Sequence, residues 1–170
     1  QVERFTVQRG ELLIDCWLML PPQFDRSQQY PLVLEVHGGP WGRDKWGYDP
    51  LHQLMANRGY AVMSVNFRGS TGMGKSFTNA GNMEWGGKMH DDLIDAVEWA
   101  VDERIAEPDR IAIMGSSYGG YATNLLITQT DRFAAAVNIS GKVNIISFLG
   151  DSEKIAPRNY AAAEEGQDRL

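Results

Sequence analysis

The sequence predicts an α/β fold: a mostly parallel β-sheet that starts with an antiparallel hairpin and carries helices on both faces. Apolar, β-branched segments alternate with segments of helical periodicity, which is the order that places parallel strands between crossover helices. Three of the apolar segments run directly into glycine-rich loops. With 170 residues, 43% of them hydrophobic and 22% charged, the chain has the size and composition of one soluble domain.

Six strands are predicted. The first two, VERFTV and ELLIDCWLML, form a hairpin that turns at Arg9-Gly10 and ends at Pro21-Pro22. The next four have the sequences YPLVLEV, YAVMSVNF, RIAIMG and FAAAVNIS. Their continuous apolar character is typical of strands that are covered on both faces.

Three helices are predicted between these strands. A short helix runs from about residue 50 to residue 57, and YGGYATNLLITQ forms another. The clearest helix is HDDLIDAVEWAVDE, where Asp91 and Asp92 suit the positive end of the helix dipole. Its apolar stripe consists of Leu93, Ile94, Val97 and Val101.

The charge and cysteine content restrict the partners and the compartment. A net charge of −6 argues against nucleic acid or an anionic membrane as a partner. No apolar run approaches the roughly 20 residues that span a bilayer, so no membrane partner is expected. The single cysteine, Cys16, excludes a disulfide within the chain and fits a reducing compartment. We therefore expect a cytoplasmic location.

The segment RIAIMGSSYGG contains the pattern G-x-S-x-G at Gly115, Ser117 and Gly119, between a predicted strand and a predicted helix. Such a turn holds its central serine in a strained conformation and exposes the hydroxyl as a nucleophile. The positions two residues away must then be small to avoid the Cβ of that serine, which selects Ser117 over Ser116. The alternative is a glycine-rich turn in which the serine has no chemical role.

The segment HGGP, from His37 to Pro40, ends an earlier strand where a second oxyanion donor is expected. Gly39 is the candidate donor in this loop, and the backbone N–H of Tyr118 is the candidate donor after the serine. The alternative is a simple tight turn. His37 is expected to hold the loop, although we also consider it as a substitute base.

The segment from Gly69 to Ser76 matches the phosphate-binding pattern G-x-x-x-x-G-K-[ST] letter for letter. A P-loop requires a helix that opens at the lysine and the serine. The following FTNAGNMEWGG is rich in residues that break helices, and no later strand ends in the required aspartate. We therefore prefer a glycine loop that packs near the serine site, and keep a nucleotide binder as a remote alternative.

The remaining candidate residues are aromatic residues and histidines. Trp41 and Trp46 lie in a predicted loop that could wall an apolar pocket. His52 and His90 are expected to cap helices or to face solvent. The three histidines and Cys16 have no metal-ligand spacing, so neither a metal nor another cofactor is expected.

Three long segments together resemble the catalytic domain of the prolyl oligopeptidase family, with the acylaminoacyl-peptidase-like branch as the nearest match. They are HGGPWGRDKWGYDPLHQLMANRGYAVMSVNFRGSTGMGKSF, EWGGKMHDDLIDAVEWAV and IMGSSYGGYAT, in the family's order. The resemblance runs from about Val2 to Ser140 and leaves residues 141–170 as a divergent tail. Within that tail, GDSEKIAPRNYAAAEEGQDRL is predicted to be a loop and a polar helix. It also accounts for the P-loop pattern, since the family carries an N-[FY]-R-G-S-x-G-x-G loop.

The resemblance implies an α/β-hydrolase fold and a serine hydrolase of the peptidase or esterase type. Its substrates would be short peptides, acylated amino acids or esters. Ser117 matches the family's nucleophile, which forms an acyl-enzyme, and Gly39 and Tyr118 match its backbone oxyanion donors.

The sequence departs from the family in its triad. In this fold an aspartate or glutamate and then a histidine follow the serine, but the 53 residues after Ser117 contain no histidine. Asp131 and Asp151 come too early to match. We therefore expect residues 1–170 to form a single partial domain that is truncated at its C-terminal side.

Two main interpretations remain open. In the first, the chain is a hydrolase whose base is unconventional, such as His37, or is supplied by a partner chain. In the second, it is a catalytically inactive oligomeric fragment or binding module. Loss of the later strands would leave FAAAVNIS as an exposed edge, so we expect a homo-oligomer formed through that edge.

Overall fold

The computed structural model describes residues 1–148, which form one six-stranded sheet and four principal helices. The predicted polar helix and most of the divergent tail lie outside the described residues. The strands are β1 (Val2–Arg9), β2 (Leu12–Met19), β3 (Tyr30–Val36), β4 (Ala61–Asn66), β5 (Ala106–Ser116) and β6 (Ala135–Ile139). The helices are α1 (Pro50–Ala56), α2 (Lys75–Asn79), α3 (Lys88–Asp102) and α4 (Tyr118–Gln129).

The strand order across the sheet is β1-β2-β4-β3-β5-β6. The hairpin of β1 and β2 is antiparallel and joins the sheet through an antiparallel β2–β4 pairing. The pairings β3–β4, β3–β5 and β5–β6 are parallel. The mostly parallel sheet with an N-terminal hairpin is therefore confirmed, and the carboxyl ends of β3, β4 and β5 meet at one edge.

The apolar side chains of the strands alternate between two faces of the sheet. On one face, Leu34 and Met63 pack in the main core together with residues of α3 and α4, such as Leu93 and Leu126. On the other face, Met19 and Val62 pack in a smaller cluster against Ala56 of α1. Helices thus cover both faces, as predicted.

The strand β5 starts four residues earlier than the predicted RIAIMG segment. Its pairing with β3 begins at Tyr30–Ala106 and resumes only at Leu32–Ile111. The irregular part contains Pro108, which has no N–H to donate to a neighbouring strand. The prediction failed here because the segment is polar and its pairing is irregular.

The helix α3 buries a broader face than the predicted stripe. Leu93 and Val97 are fully buried, as are Met89, Ala96 and Ala100, while Ile94 and Val101 are only partly buried. Asp91 lies in the first turn, as predicted. Asp92 instead forms a buried ion pair with Arg68, so it does not act chiefly through the helix dipole.

None of the helices in residues 1–148 is long and apolar enough to cross a membrane.

Candidate active site

Ser117 lies at the junction between β5 and α4 with a strained backbone. Its φ is 57° and its ψ is −113°, a combination that residues other than glycine rarely adopt. Ser116 has no positive φ and is exposed, whereas Ser117 is half-buried. The geometry is therefore that of a nucleophile elbow centred on Ser117.

The two glycines of the elbow are required for a reason that differs from the one deduced from the sequence. A Cβ on Gly115 would lie 2.7 Å from the Cα of Gly119, and a Cβ on Gly119 would overlap the carbonyl oxygen of Val36. The glycines thus allow β5, α4 and β3 to approach backbone to backbone. They do not simply make room for the Cβ of Ser117.

The loop that follows β3 passes directly beside Ser117. A Cβ on Gly38 would lie 3.5 Å from the Cβ of Ser117 and 3.2 Å from the carbonyl oxygen of Ser116. Gly39 has a φ of +129°, which favours glycine, and is joined to Pro40 by a cis peptide bond. We call residues 37–44 the oxyanion loop.

The two candidate oxyanion donors have free N–H groups. Within residues 1–148, neither the N–H of Gly39 nor that of Tyr118 has a hydrogen-bond acceptor. Tyr118 is the first residue of α4, which has no side-chain cap, so its N–H also lies at the positive end of a helix dipole. Such N–H groups can stabilise negative charge that develops on a substrate oxygen.

His37 hydrogen-bonds through both ring nitrogens. Its Nδ1 lies 2.8 Å from the carbonyl oxygen of Gly38, and its Nε2 lies 2.9 Å from the hydroxyl of Ser70. Because a carbonyl oxygen only accepts, Nδ1 carries the proton in the neutral ring and Nε2 accepts from Ser70. Burial lowers the pKa of His37, against the opposing effect of the Gly38 carbonyl.

The lone pair of the His37 ring is therefore already occupied, and the ring stacks on Phe67 with a centroid distance of 4.5 Å. This arrangement gives His37 a place in holding the oxyanion loop. It offers no free nitrogen to accept the proton of Ser117.

The other two histidines also have partners. His52, on α1, forms an ion pair with Glu35 of β3. Burial lowers the pKa of His52, but the hydrogen bond and the charge of Glu35 outweigh that effect and raise the pKa overall. His90 is 2% exposed, and its Nδ1 lies 3.4 Å from the side-chain oxygen Oε1 of Gln129. The expectation that His90 caps a helix or faces solvent is therefore wrong, because α3 turns it into the interior.

The hydroxyl of Ser117 has no side-chain partner among the described residues. The only hydrogen bonds of Ser117 there are made by its backbone, to Ile139 and Tyr121. The described residues thus contain the strained turn and the two candidate donors, but no histidine or carboxylate that hydrogen-bonds to the hydroxyl of Ser117.

The two candidate pocket tryptophans lie in different places. Trp46 is 74% exposed and lines a cavity of about 380 Å³ together with Trp17, Glu35 and His52. Neither Ser117 nor Gly39 lines that cavity. Trp41 belongs to the oxyanion loop and is 46% exposed, so its role as a pocket wall remains a prediction.

The P-loop pattern forms a glycine turn after β4 followed by the five-residue helix α2, which begins at Lys75. The expectation that no helix opens at this lysine is therefore wrong. The turn nevertheless packs against the protein: Ser70 bonds to His37, and a Cβ on Gly81 would lie 2.7 Å from the Cα of Gly69. In the part of the chain that is described, no group of three or more histidine, cysteine or acidic residues could hold a metal ion.

Sequence reasoning missed a set of buried polar residues behind the oxyanion loop. Asn66 and Ser70 bond to that loop, while Arg68 donates from its backbone and its guanidinium to Asp92. The sequence carries a signal for them, since NFRGS places one polar residue at the end of a buried strand and two more directly after it. The glycines of this segment indicate a turn, but they do not indicate which of its polar side chains are buried.

Comparison with known proteins identifies the family. The sequence profile of the prolyl oligopeptidase family matches residues 46–169, and thus extends beyond Ser140, where the resemblance in the sequence ends. The chain is 64% identical over 140 residues to dipeptidyl aminopeptidase BIII of Pseudoxanthomonas mexicana. This alignment covers 78% of this chain and 20% of that protein. It is 46% identical over 162 residues to dipeptidyl peptidase family member 6 of Caenorhabditis elegans, covering 83% and 22%.

Solved structures agree with these relatives. The acylaminoacyl peptidase of Pyrococcus horikoshii superposes with a TM-score of 0.76 at 32% identity, over 83% of this chain and 23% of that one. A puromycin-hydrolyzing peptidase of Mycobacterium tuberculosis superposes with a TM-score of 0.81 at 31% identity, over 95% and 27%. The chain thus spans about a fifth to a quarter of the length of these proteins, and its fold is part of an α/β-hydrolase fold. It belongs to the prolyl oligopeptidase family of serine peptidases.

Proposed function

We propose that this chain carries the nucleophile and the oxyanion donors of a serine hydrolase that cleaves amide or ester bonds by way of an acyl-enzyme. The observation that carries the proposal is the strained backbone of Ser117 beside the N–H groups of Gly39 and Tyr118, which have no acceptor within the described part of the chain. A strained serine next to free donors has no evident structural purpose, whereas acyl transfer needs both.

The reaction follows from this arrangement. The Oγ of Ser117 attacks the carbonyl carbon of the substrate as its proton passes to a base, and the carbonyl π electrons move onto the oxygen. The N–H groups of Gly39 and Tyr118 stabilise that oxyanion. Its collapse breaks the bond to the amine or alkoxide, which leaves with the proton, and water then hydrolyses the ester on Ser117.

We infer that a histidine acting as the general base would be supplied from outside these 170 residues. His37, His52 and His90 are the only histidines of the sequence, and each already has a hydrogen-bond or ion-pair partner away from Ser117. Without a base, the oxyanion hole and substrate binding alone give about 10³–10⁴-fold acceleration over water. We therefore expect slow acylation of Ser117 in the isolated chain.

The substrate class is proposed from the relatives. They include a dipeptidyl aminopeptidase, an acylaminoacyl peptidase and a puromycin-hydrolyzing peptidase. We propose short peptides, acylated amino acids and related esters for this chain, and a cytoplasmic location, in line with its one buried free thiol at Cys16.

The proposal can be tested by adding imidazole, which can act as the general base in solution. The isolated chain is treated with a fluorophosphonate at increasing concentrations of imidazole, and the covalent adduct is followed by intact mass. We expect labelling that rises with neutral imidazole and is lost in Ser117→Ala. Ser116→Ala is the matched control, because Ser116 is the adjacent, more exposed serine and should leave labelling intact.

Failure of the wild-type chain to label at any imidazole concentration would contradict the proposal and favour a non-catalytic module. Equal labelling of wild type and Ser117→Ala would show that another residue reacts.

A further inference from the structure

The oxyanion loop is hydrogen-bonded to the end of β4 and to the turn that follows it, on both sides of Gly39. Two residues before Gly39, the Nε2 of His37 accepts from Ser70 at 2.9 Å. Three residues after it, the carbonyl oxygen of Gly42 accepts from the N–H of Thr71 at 2.8 Å. Five residues after it, Asp44 is bonded to Asn66.

The side-chain amide of Asn66 makes two hydrogen bonds to the backbone of Asp44. Its Oδ1 accepts from the N–H of Asp44 at 2.8 Å, and its Nδ2 donates to the carbonyl oxygen of Asp44 at 3.1 Å. The same Nδ2 lies 3.3 Å from a carboxylate oxygen of Asp15 on β2. Asn66 therefore fixes the far end of the loop to the sheet.

Both side chains are buried in spite of their polarity. Ser70 is 0% exposed and Asn66 is 1% exposed. Burying a hydroxyl or an amide is unfavourable unless it is hydrogen-bonded. The hydroxyl of Ser70 bonds only to His37 within the described residues, and two of the three side-chain bonds of Asn66 go to Asp44.

We propose that Ser70 and Asn66 are positioning residues that hold the Gly39 N–H in place as an oxyanion donor. This inference rests on the proposed function of that N–H. Among residues 1–148 no acceptor bonds to the N–H of Gly39, and a glycine has few intrinsic limits on its backbone angles. Its orientation is therefore imposed by the bonds at His37 and Asp44 on either side.

The expected effect is smaller than the loss of a donor. Removing an oxyanion donor lowers the rate by roughly 100- to 1000-fold, whereas a displaced donor keeps part of its effect. We expect about a tenfold fall in the maximal rate of fluorophosphonate labelling in Ser70→Ala and in Asn66→Asp. The fluorophosphonate concentration for half-maximal labelling should not change, because the donor acts on the transition state and not on initial binding.

The control is Ser64→Ala. Ser64 lies on β4, is 3% exposed and makes no side-chain hydrogen bond among residues 1–148. Its substitution therefore removes a buried serine hydroxyl, as Ser70→Ala does, but breaks no hydrogen bond to the oxyanion loop. All three variants are labelled in the presence of imidazole, well below their melting temperatures. The amide signal of Gly39 is also followed in nitrogen-15 NMR spectra.

The proposal is supported if Ser70→Ala and Asn66→Asp move the Gly39 signal and slow maximal labelling, while Ser64→Ala does neither. It is overturned if the Gly39 signal stays at its wild-type position in both variants, or if their labelling rates match that of Ser64→Ala. If the wild-type chain does not label at all, the proposed function fails. The Gly39 signal then decides separately whether Ser70 and Asn66 hold the loop.

Discussion

Gly115 and Gly119 lie backbone against backbone across the Ser117 elbow, with a Cβ on Gly115 placed 2.7 Å from the Cα of Gly119. Gly119 in turn lies so close to β3 that its own Cβ would overlap the carbonyl oxygen of Val36. The backbone of α4 at Gly119 is therefore packed directly against the backbones of β5 and β3. It cannot move without disturbing these two strands of the sheet.

The first prediction concerns Gly119→Ala. In a solvent-exposed helix this change would stabilise the protein by about 1 kcal/mol, because alanine has the higher helix propensity. Here the overlap with Val36 outweighs that gain, since the obstacle is backbone in the central sheet. We expect the free energy of unfolding to fall by about 3 kcal/mol or more, measured by urea denaturation.

The control is Gly47→Ala, because nothing lies within 4 Å of a Cβ at Gly47 and its φ is not positive. This variant should change the stability by less than about 0.5 kcal/mol. Equal stability of the two variants would show that the elbow has room for a side chain.

The turn at Ser117 also shows which features a local sequence pattern can indicate and which it cannot. The choice of Ser117 over Ser116 depended on a local pattern, and local patterns determine backbone angles. The order β1-β2-β4-β3-β5-β6 and the partners of Asn66, Ser70 and Asp92 depend on contacts between segments far apart in the chain. Hydrophobic periodicity carries no information about which distant polar residues meet, so these contacts could not be predicted.

The second prediction concerns the buried ion pair of Arg68 and Asp92. Asp92 is 0% exposed and accepts three hydrogen bonds from Arg68, at 2.7–2.9 Å. Asp92→Asn would leave the buried guanidinium without its counter-charge. We expect a loss of about 3–5 kcal/mol in the free energy of unfolding, measured by urea denaturation.

Glu98→Gln provides the comparison, because Glu98 forms a similar double contact with Arg132 but both side chains are about a third exposed. Solvent screening should limit its cost to about 1 kcal/mol or less. If both substitutions had the same small effect, the Arg68–Asp92 pair would not hold the turn after β4.

The third prediction is a pH dependence of stability that originates at Asp44. Burial, and then the negative charge of Glu35, raise the pKa of the Asp44 carboxyl from 3.8 to about 7. The folded chain thus binds this proton more tightly than the unfolded chain does. The stabilisation is complete below about pH 4 and is lost as the pH rises to about 7.

Asp44→Asn should remove this contribution, because asparagine does not titrate. We expect the free energy of unfolding of the wild type, relative to that of the variant, to fall between pH 4 and pH 7 by an amount on the order of 2–4 kcal/mol. Asp131→Asn, at an exposed position, should keep the pH dependence of the wild type. Parallel curves for wild type and Asp44→Asn would contradict the assignment.

The fourth prediction concerns the edge of the sheet at β6, through which we propose a homo-oligomer. All five residues of β6 are exposed, and its pairing within residues 1–148 is with β5 alone. Val137 and Ile139 give this edge a β-branched, apolar character, and such an edge favours pairing with a second strand. We expect the isolated chain to be a dimer or larger in size-exclusion chromatography with light scattering.

Val137→Lys should convert that oligomer to a monomer, because a charge on an edge strand opposes strand pairing between chains. Ile127→Lys is the matched control: Ile127 is 45% exposed, close to the 52% of Val137, but it lies on α4 and away from the edge. It should leave the oligomer intact. A monomeric wild-type chain would exclude edge pairing, and an oligomer that persists in Val137→Lys would place the interface elsewhere on the molecule.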